Sequence, residues 1–210
     1  MPSAKVKRMR ALLGIRKCLS GPYASVEERS KAVGDVGERI AIAALRTYEP
    51  HFEIVSQAVD TKGTVLASRG GKRPDFICAK SACPDAPAYC VDAKFTKTDF
   101  GTRFLISQVE LAQYRALQDY VESDVLLLVI PQELDGKIGF WVRLDEVADC
   151  NDKIGGKTAA VATLDRLPPE RKIQIDLEQM PSEDEFRALH CAADELYRRD
   201  EPPSTPTGAS

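Results

Sequence analysis

Two stretches, Arg73-Pro-Asp-Phe-Ile-Cys78 and Tyr89-Cys-Val-Asp-Ala-Lys-Phe95, decide how this chain is read. Both are rich in residues that suit a pleated, half-buried surface, and the Pro-rich loop from Lys80 to Ala88 separates them, which predicts a β-hairpin. Side chains alternate along a strand, so Asp92 and Lys94 share one face about 7 Å apart, while Val91, Ala93 and Phe95 face the core. Asp75, at the start of the preceding strand, falls beside Asp92 across the hairpin. Two carboxylates and a lysine are thus expected in one small patch. A rival Pro84-Asp85 is set aside, because Ala86-Pro-Ala88 after it reads as loop, whereas Phe76-Ile-Cys78 after Asp75 reads as strand.

Two carboxylates this close repel each other unless a cation lies between them, and hard oxygen donors are what Mg²⁺ prefers. A divalent ion there would polarise a phosphodiester and lower the pKa of a water, with Lys94 positioning that water or offsetting charge on the phosphate. This is the chemistry of phosphodiester hydrolysis.

Outward from the hairpin, residues 25–48 read as a helix that opens on a Ser25/Glu28 capping box, with Gly34 and Gly37 weakening its first half. A strand candidate runs from Phe52 to Val59, and a shorter one is Thr64-Val-Leu66. Ser107 and Glu110 form a second capping box, and Leu111, Tyr114, Leu117 and Val121 give that helix its apolar face. The run Val125-Leu-Leu-Leu-Val-Ile130 is a strand buried on both faces. Ile138 to Val142 is another, after an Asp135-Gly136 turn. Beyond Leu144 come a short helical piece, a loose Gly/Lys segment, the alternating Ile173-Gln-Ile-Asp-Leu177 and a helix from about Ser182 to Arg199. The division expected is a basic arm at 1–24, a core at 25–145, a C-terminal extension at 146–199 packed on it, and a disordered tail at 200–210.

At 210 residues, with 43% hydrophobic and 29% charged side chains, the chain has the size and composition of one globular domain with appendages. Its longest apolar run is far short of the ~20 residues that cross a bilayer, and the basic N-terminus lacks an h-region long enough for export. The reading is therefore cytosolic. The net charge of −3 conceals an asymmetry, +6 over residues 1–31 and −7 over residues 132–210, compatible with a polyanionic partner for the N-terminal arm. Six cysteines without a C-x-x-C pair are expected as reduced thiols; Cys78, Cys83 and Cys90, with four and six residues between them, match no common zinc knuckle. With only His51 and His190 there is no H-E-x-x-H helix, and no G-x-S-x-G elbow occurs. Gly155-Gly-Lys-Thr158 resembles the end of a phosphate loop, but Asn151 stands where the first glycine is needed, so it reads as a surface turn.

Gly34-Asp-Val-Gly-Glu38 on a helix, then Pro74-Asp75 and Asp92-Ala-Lys94 on a hairpin, then a second helix, resembles the PD-(D/E)XK nuclease superfamily over about residues 30–145. The resemblance implies an α/β fold with a restriction-endonuclease-like core, a mixed central sheet flanked by helices. It also implies that Asp75 and Asp92 bind the metal directly and that Glu38 is an outer ligand, with Asp35 as its weaker stand-in. Ala93, between Asp92 and Lys94, belongs to the metal-binding set, and Lys94 is the catalytic lysine. Within the superfamily, Val91-Asp-Ala-Lys-Phe-Thr-Lys97, Thr102-Arg-Phe-Leu105 and Gln113 are similar to RecU-type Holliday junction resolvases. There Gln113, or alternatively Gln108, would lie near the metal and the scissile phosphate.

The implied activity is a Mg²⁺-dependent endonuclease, with Mn²⁺ as substitute, acting on double-stranded and branched or otherwise structured DNA. A homodimer is implied as well, since paired nicks need two sites. Lys72, Arg73, Lys97 and Arg103 flank the site and would grip phosphates. The same residues would also serve a sequence-specific restriction or mobile-element endonuclease, or a non-catalytic nucleic-acid-binding protein on the same scaffold.

Overall fold

The structure, a computed structural model, describes residues 3–56, 68–79 and 87–200. The segment Thr64 to Leu66, the rival Pro84-Asp85, Cys83 and most of the C-terminal tail lie outside them. At its centre is the expected hairpin: β2 (Phe76–Ala79) runs antiparallel to β3 (Ala88–Thr96), with Phe76 opposite Val91 and Cys78 opposite Tyr89. A three-residue β1 (Phe52–Ile54) edges β2. On its other side β3 pairs in parallel with β5 (Val125–Pro131) along its length, from Cys90 opposite Val125 to Thr96 opposite Pro131.

Parallel neighbours need a crossover. It is supplied by β4 (Arg103–Ser107) and α3 (Gln108–Val121). Antiparallel β6 (Ile138–Arg143) and β9 (Lys172–Gln174) complete a mixed six-stranded sheet in the order β1-β2-β3-β5-β6-β9. The turn into β6 has Asp135 and Gly136 both at positive φ, 53° and 69°, as the Asp-Gly pair predicts.

Each face of this sheet carries its own core. On β5, Leu128 and Ile130 pack with α2 (Val26–Tyr48), while Leu127 and Val129 pack with α3, which is why the whole run is apolar. The first core also takes Ile15 from α1 (Ala4–Ser20) and Phe186 from α4 (Glu183–Asp200). Among the described residues no helix is long and apolar enough to cross a membrane.

Residues 1–24, expected as a basic arm, thus contain a helix. Its Ile15 is fully buried, and Arg16 pairs with Asp135 at 2.7 Å. The first capping box closes: Ser25 Oγ accepts from the Glu28 amide at 3.0 Å, and the Glu28 carboxylate reaches back to the Ala24 amide at 2.7 Å. At the second only Ser107 Oγ engages, accepting from the Glu110 amide at 3.2 Å, while the Glu110 carboxylate turns elsewhere. α2 runs through Gly34 and Gly37 unbroken. Gly37 is where the helix meets the sheet, and a Cβ there would stand 2.7 Å from Phe95 Cβ.

The loose Gly/Lys segment is the largest departure. Ala148–Ile154 (β7) and Lys157–Thr163 (β8) form a hairpin around Gly155-Gly156, and β8 pairs with β4 in a second, three-stranded sheet. The buried side chains that β8 contributes are Ala159, Ala160 and Ala162. Alanine carries little strand preference, so pairing with β4 creates this hairpin rather than local propensity.

Candidate active site

The central hairpin runs into a polar cleft on the α3 side of the sheet. Asp75 sits one residue before β2, where its amide donates to the Val91 carbonyl at 3.1 Å and extends the ladder. Past that point β3 has no strand partner on this side among the described residues, and the Asp75 carboxylate takes over by accepting from the Ala93 amide at 2.8 Å. On β3, Asp92 and Lys94 follow Cys90 on the face that looks toward α3. That face is covered, so Asp92 is only 1% exposed.

Lys94 Nζ lies 2.8 Å from Asp92 Oδ2 and 2.7 Å from Glu110 Oε1, on the first turn of α3. Lys72 approaches the same two carboxylates at 3.6 and 3.1 Å and donates to the Tyr114 hydroxyl at 2.7 Å. Both ammonium groups stand over the Tyr114 ring, 5.0 and 5.1 Å from its centre. A cleft of 440 Å³ opens beside Lys94 and Glu110, its other walls including Thr96, Ser107, Ile154 and Lys157.

Burial and charge set the protonation of these groups. Burial, reinforced by Asp92 and then Glu38, pushes the Asp75 carboxyl up to about 8, against the opposing Ala93 amide and Lys94. Burial would strip Lys94 of its proton, but Asp92 and Glu110 outweigh it and raise the ammonium above its ordinary value. Burial also opposes ionisation of Glu110, yet Lys94 and Lys72 win and hold it at about 2. The Tyr114 phenol is raised well above its usual value by burial, with Asp92 and Glu110 adding to it, and so stays a neutral donor. At neutral pH the patch therefore holds charged Lys94, ionised Glu110 and an Asp75 inclined to keep its proton.

The expected residues lie at different distances from this centre. Asp75, Ala93, Asp92, Lys94 and Lys72 are joined by the contacts above. Glu38, on α2, influences Asp75 through its charge, but its Oε2 stands 3.2 Å from His190 Nε2 on α4. Asp35, one turn earlier, is raised by burial and by Glu38. Gln113 is half-buried on α3 and makes no hydrogen bond among the described residues, whereas Gln108 donates to Asp149 at 3.2 Å. Arg73 donates to the backbone carbonyls of Val55 and Pro74, Arg103 pairs with Asp152 at 2.6 Å, and Lys97 is exposed. Glu110 and Tyr114 are the site residues that sequence reasoning did not assign. A signal existed, because both lie on one face of the same helix at i, i+4.

The donor set bears on whether a metal fits. Both Asp92 oxygens are buried without a well-aligned hydrogen bond, Lys94 compensating their charge rather than satisfying their lone pairs. With Asp75 held near neutrality beside them, a divalent cation would relieve both groups. Among the described residues no three His, Cys, Asp or Glu side chains come together as a metal shell. The fit is thus to an ion held by one or two carboxylates that keeps its waters and takes phosphate oxygens, which is the habit of Mg²⁺.

No family model matches the chain, and no curated protein matches it. Among solved structures it is similar to the 1.6 Å structure of Archaeoglobus fulgidus Hjc, a Holliday junction resolvase from an archaeal hyperthermophile. The likeness has 11% identity and a TM-score of 0.40, and covers 62% of this chain and 83% of that one.

Proposed function

We propose that this protein is a divalent-metal-dependent nuclease that hydrolyses phosphodiester bonds of DNA, on branched or otherwise structured duplexes. The observation that carries the reading is the junction of Asp75, Asp92 and Lys94 at the open end of one hairpin, with the lysine pinned between two carboxylates. Asp75 and Asp92 would hold Mg²⁺, with Mn²⁺ as substitute, which supplies Lewis-acid polarisation of the scissile phosphate.

The chain's own residues do the rest. Against its burial, Asp92 and Glu110 favour the charged form of Lys94, which would place its ammonium against charge that develops on the phosphate. Glu110 aims that ammonium, and Tyr114 and Lys72 donate to the same Glu110 oxygen. Burial and Asp92 incline Asp75 to keep a proton at neutral pH, so a cation held there would compete with that proton. The cleft beside Lys94 gives a sugar–phosphate segment access, and Lys157 at its rim matches the charge of such a strand. A homodimer would provide the second site that paired nicks require.

The test is a panel of linear, nicked, flapped and four-way DNAs, with a single-stranded RNA, incubated with Mg²⁺, Mn²⁺ or EDTA. Metal-dependent cutting with preference for the branched members supports the reading. Cutting of linear duplex at fixed sequences would assign a restriction-type enzyme instead. Tight binding without cutting under either metal would assign a non-catalytic binder, in which the lysine–carboxylate network only holds the scaffold together.

A further inference from the structure

The loop that joins the two strands framing the cleft, Lys97 to Thr102, has an unusual backbone. Asp99, Phe100 and Gly101 follow one another at positive φ, 48°, 57° and 82°. Glycine adopts this region freely and aspartate tolerates it, but for a bulky aromatic it is a genuine outlier. Such a conformation persists only where its surroundings over-determine it, and here they do.

Thr98, 1% exposed, is the hub. Its amide donates to Glu133 at 3.0 Å, and its carbonyl accepts from the amides of Gly101, Thr102 and Arg103 at 3.0 to 3.1 Å. The Gly101 amide also reaches Thr98 Oγ1 at 2.9 Å, and the Thr102 hydroxyl donates to the Asp99 carbonyl at 2.8 Å. The Leu164 amide, at the end of β8, donates to the Thr102 carbonyl at 2.8 Å. The loop is therefore fixed from within and from both neighbouring layers. What it displays is Phe100, whose side chain reaches solvent with 76% of the residue exposed, more than any other Phe, Tyr or Trp among the described residues.

Held out in this way, the ring gains nothing for the core, so the strained backbone serves presentation. The loop's ends are the strands that carry Lys94, Thr96 and Phe104 on the cleft wall. Phe100 lies six positions after Lys94, which places them at most about 20 Å apart. Lys97 and Arg103, on either side of the ring in sequence, match a phosphate backbone, whereas Asp99 beside the ring disfavours a phosphate at the ring itself. An exposed aromatic face in a loop bounded in sequence by Lys97 and by Arg103, the latter paired with Asp152 at 2.6 Å, fits a stacked base with phosphates nearby.

Resting on the nuclease reading above, we infer that Phe100 is a stacking platform for an unstacked nucleobase, and that it directs the site to discontinuities in duplex DNA. In a continuous duplex every base face is already covered. At a branch, gap or flap a terminal base pair or an extruded base is free to take the ring.

The test uses the full chain, fluorescein-labelled DNA and Ca²⁺ in place of Mg²⁺. Binding by wild type, Phe100→Gly and Phe100→Trp is measured by anisotropy on an unbroken duplex and on a four-way junction of the same arms. Glycine relieves the positive φ, so the Phe100→Gly protein should melt at or above the wild-type temperature. It should nevertheless bind the junction about tenfold more weakly, with duplex affinity kept within about twofold. In Phe100→Trp, emission in excess of the buried Trp141 background should be quenched by the junction and not by the duplex. Equal affinities for wild type and Phe100→Gly on both DNAs, with no quenching, would overturn the inference while leaving the nuclease reading intact. Loss of a dimer in Phe100→Gly with junction binding unchanged would also overturn it, assigning the ring to contact with a second copy. Wild type that binds neither DNA would remove the nuclease reading and this one with it.

Discussion

Glu38 Oε2 on α2 stands 3.2 Å from His190 Nε2 on α4, so the C-terminal helix braces the helix that looks toward Asp75. Both ring nitrogens of His190 are buried without a well-aligned hydrogen bond, and Phe186 packs edge-on against the ring with centres 4.4 Å apart. Replacing His190 by Ala removes a close partner of Glu38 and opens a gap beside Phe186. The expected loss is about 1–3 kcal/mol. Thermal melting of the variant in EDTA measures it, and a transition unchanged from wild type would contradict the bracing role.

Lys94→Ala takes the nearest cation from the buried Asp92, leaving Lys72 at 3.6 Å as the closest one among the described residues. Removing one partner of a buried pair costs roughly 3–5 kcal/mol, whereas removing both partners costs far less. Asp92→Asn combined with Lys94→Met should therefore recover most of the stability that Lys94→Ala alone loses. Urea midpoints of the single and double variants decide it, and simple additivity would contradict the coupling.

Asp75 makes stability depend on pH in the direction opposite to a salt-bridged carboxylate. Its folded value, about 8, exceeds the ordinary 3.8, so between these values the folded chain binds the extra proton and stability falls as pH rises. In EDTA, urea midpoints should decline from pH 5 to pH 8, and Asp75→Asn should flatten the decline. Mg²⁺ competes for the same oxygens, so its affinity by calorimetry should climb over the same interval in wild type.

Two glycines on α2 should respond oppositely. A Cβ at Gly37 meets Phe95 at 2.7 Å, so Gly37→Ala must move the helix off β3 at a cost of about 1–3 kcal/mol. Nothing lies within 4 Å of a Cβ at Gly34, and Gly34→Ala should stabilise by about 0.5–1 kcal/mol through helix propensity. Paired melting curves test both signs at once.

The hairpin and the double-sided strand Val125–Ile130 were legible because burial writes itself into the order of polar and apolar residues. Asp92 beside Lys94 followed from the two-residue period, and Asp75 beside them from the hairpin that pairs the two strands. Glu110 escaped because it has two uses: its amide caps α3 through Ser107, which the capping box predicts, while its carboxylate turns to Lys94, which only the tertiary arrangement decides. Tyr114 likewise reads as one more apolar position until its hydroxyl meets Lys72. The helix α1 was hidden by its charge, since eight basic residues over 1–31 mask the single deeply buried Ile15. β7 and β8 were hidden for the reverse reason, as buried alanines and exposed charges carry no strand pattern until β4 supplies a partner.

Lys94 with Asp75 and Asp92 is the central claim, and nicking of supercoiled plasmid tests it most directly, with Mg²⁺ or EDTA, for wild type, Asp92→Asn and Lys94→Ala. The account predicts nicking by wild type with Mg²⁺, none in EDTA, and a fall of at least about a hundredfold in each variant that still melts cooperatively. Nicking that persists at the wild-type rate in a folded Lys94→Ala protein, or wild type that never nicks under Mg²⁺, would contradict it.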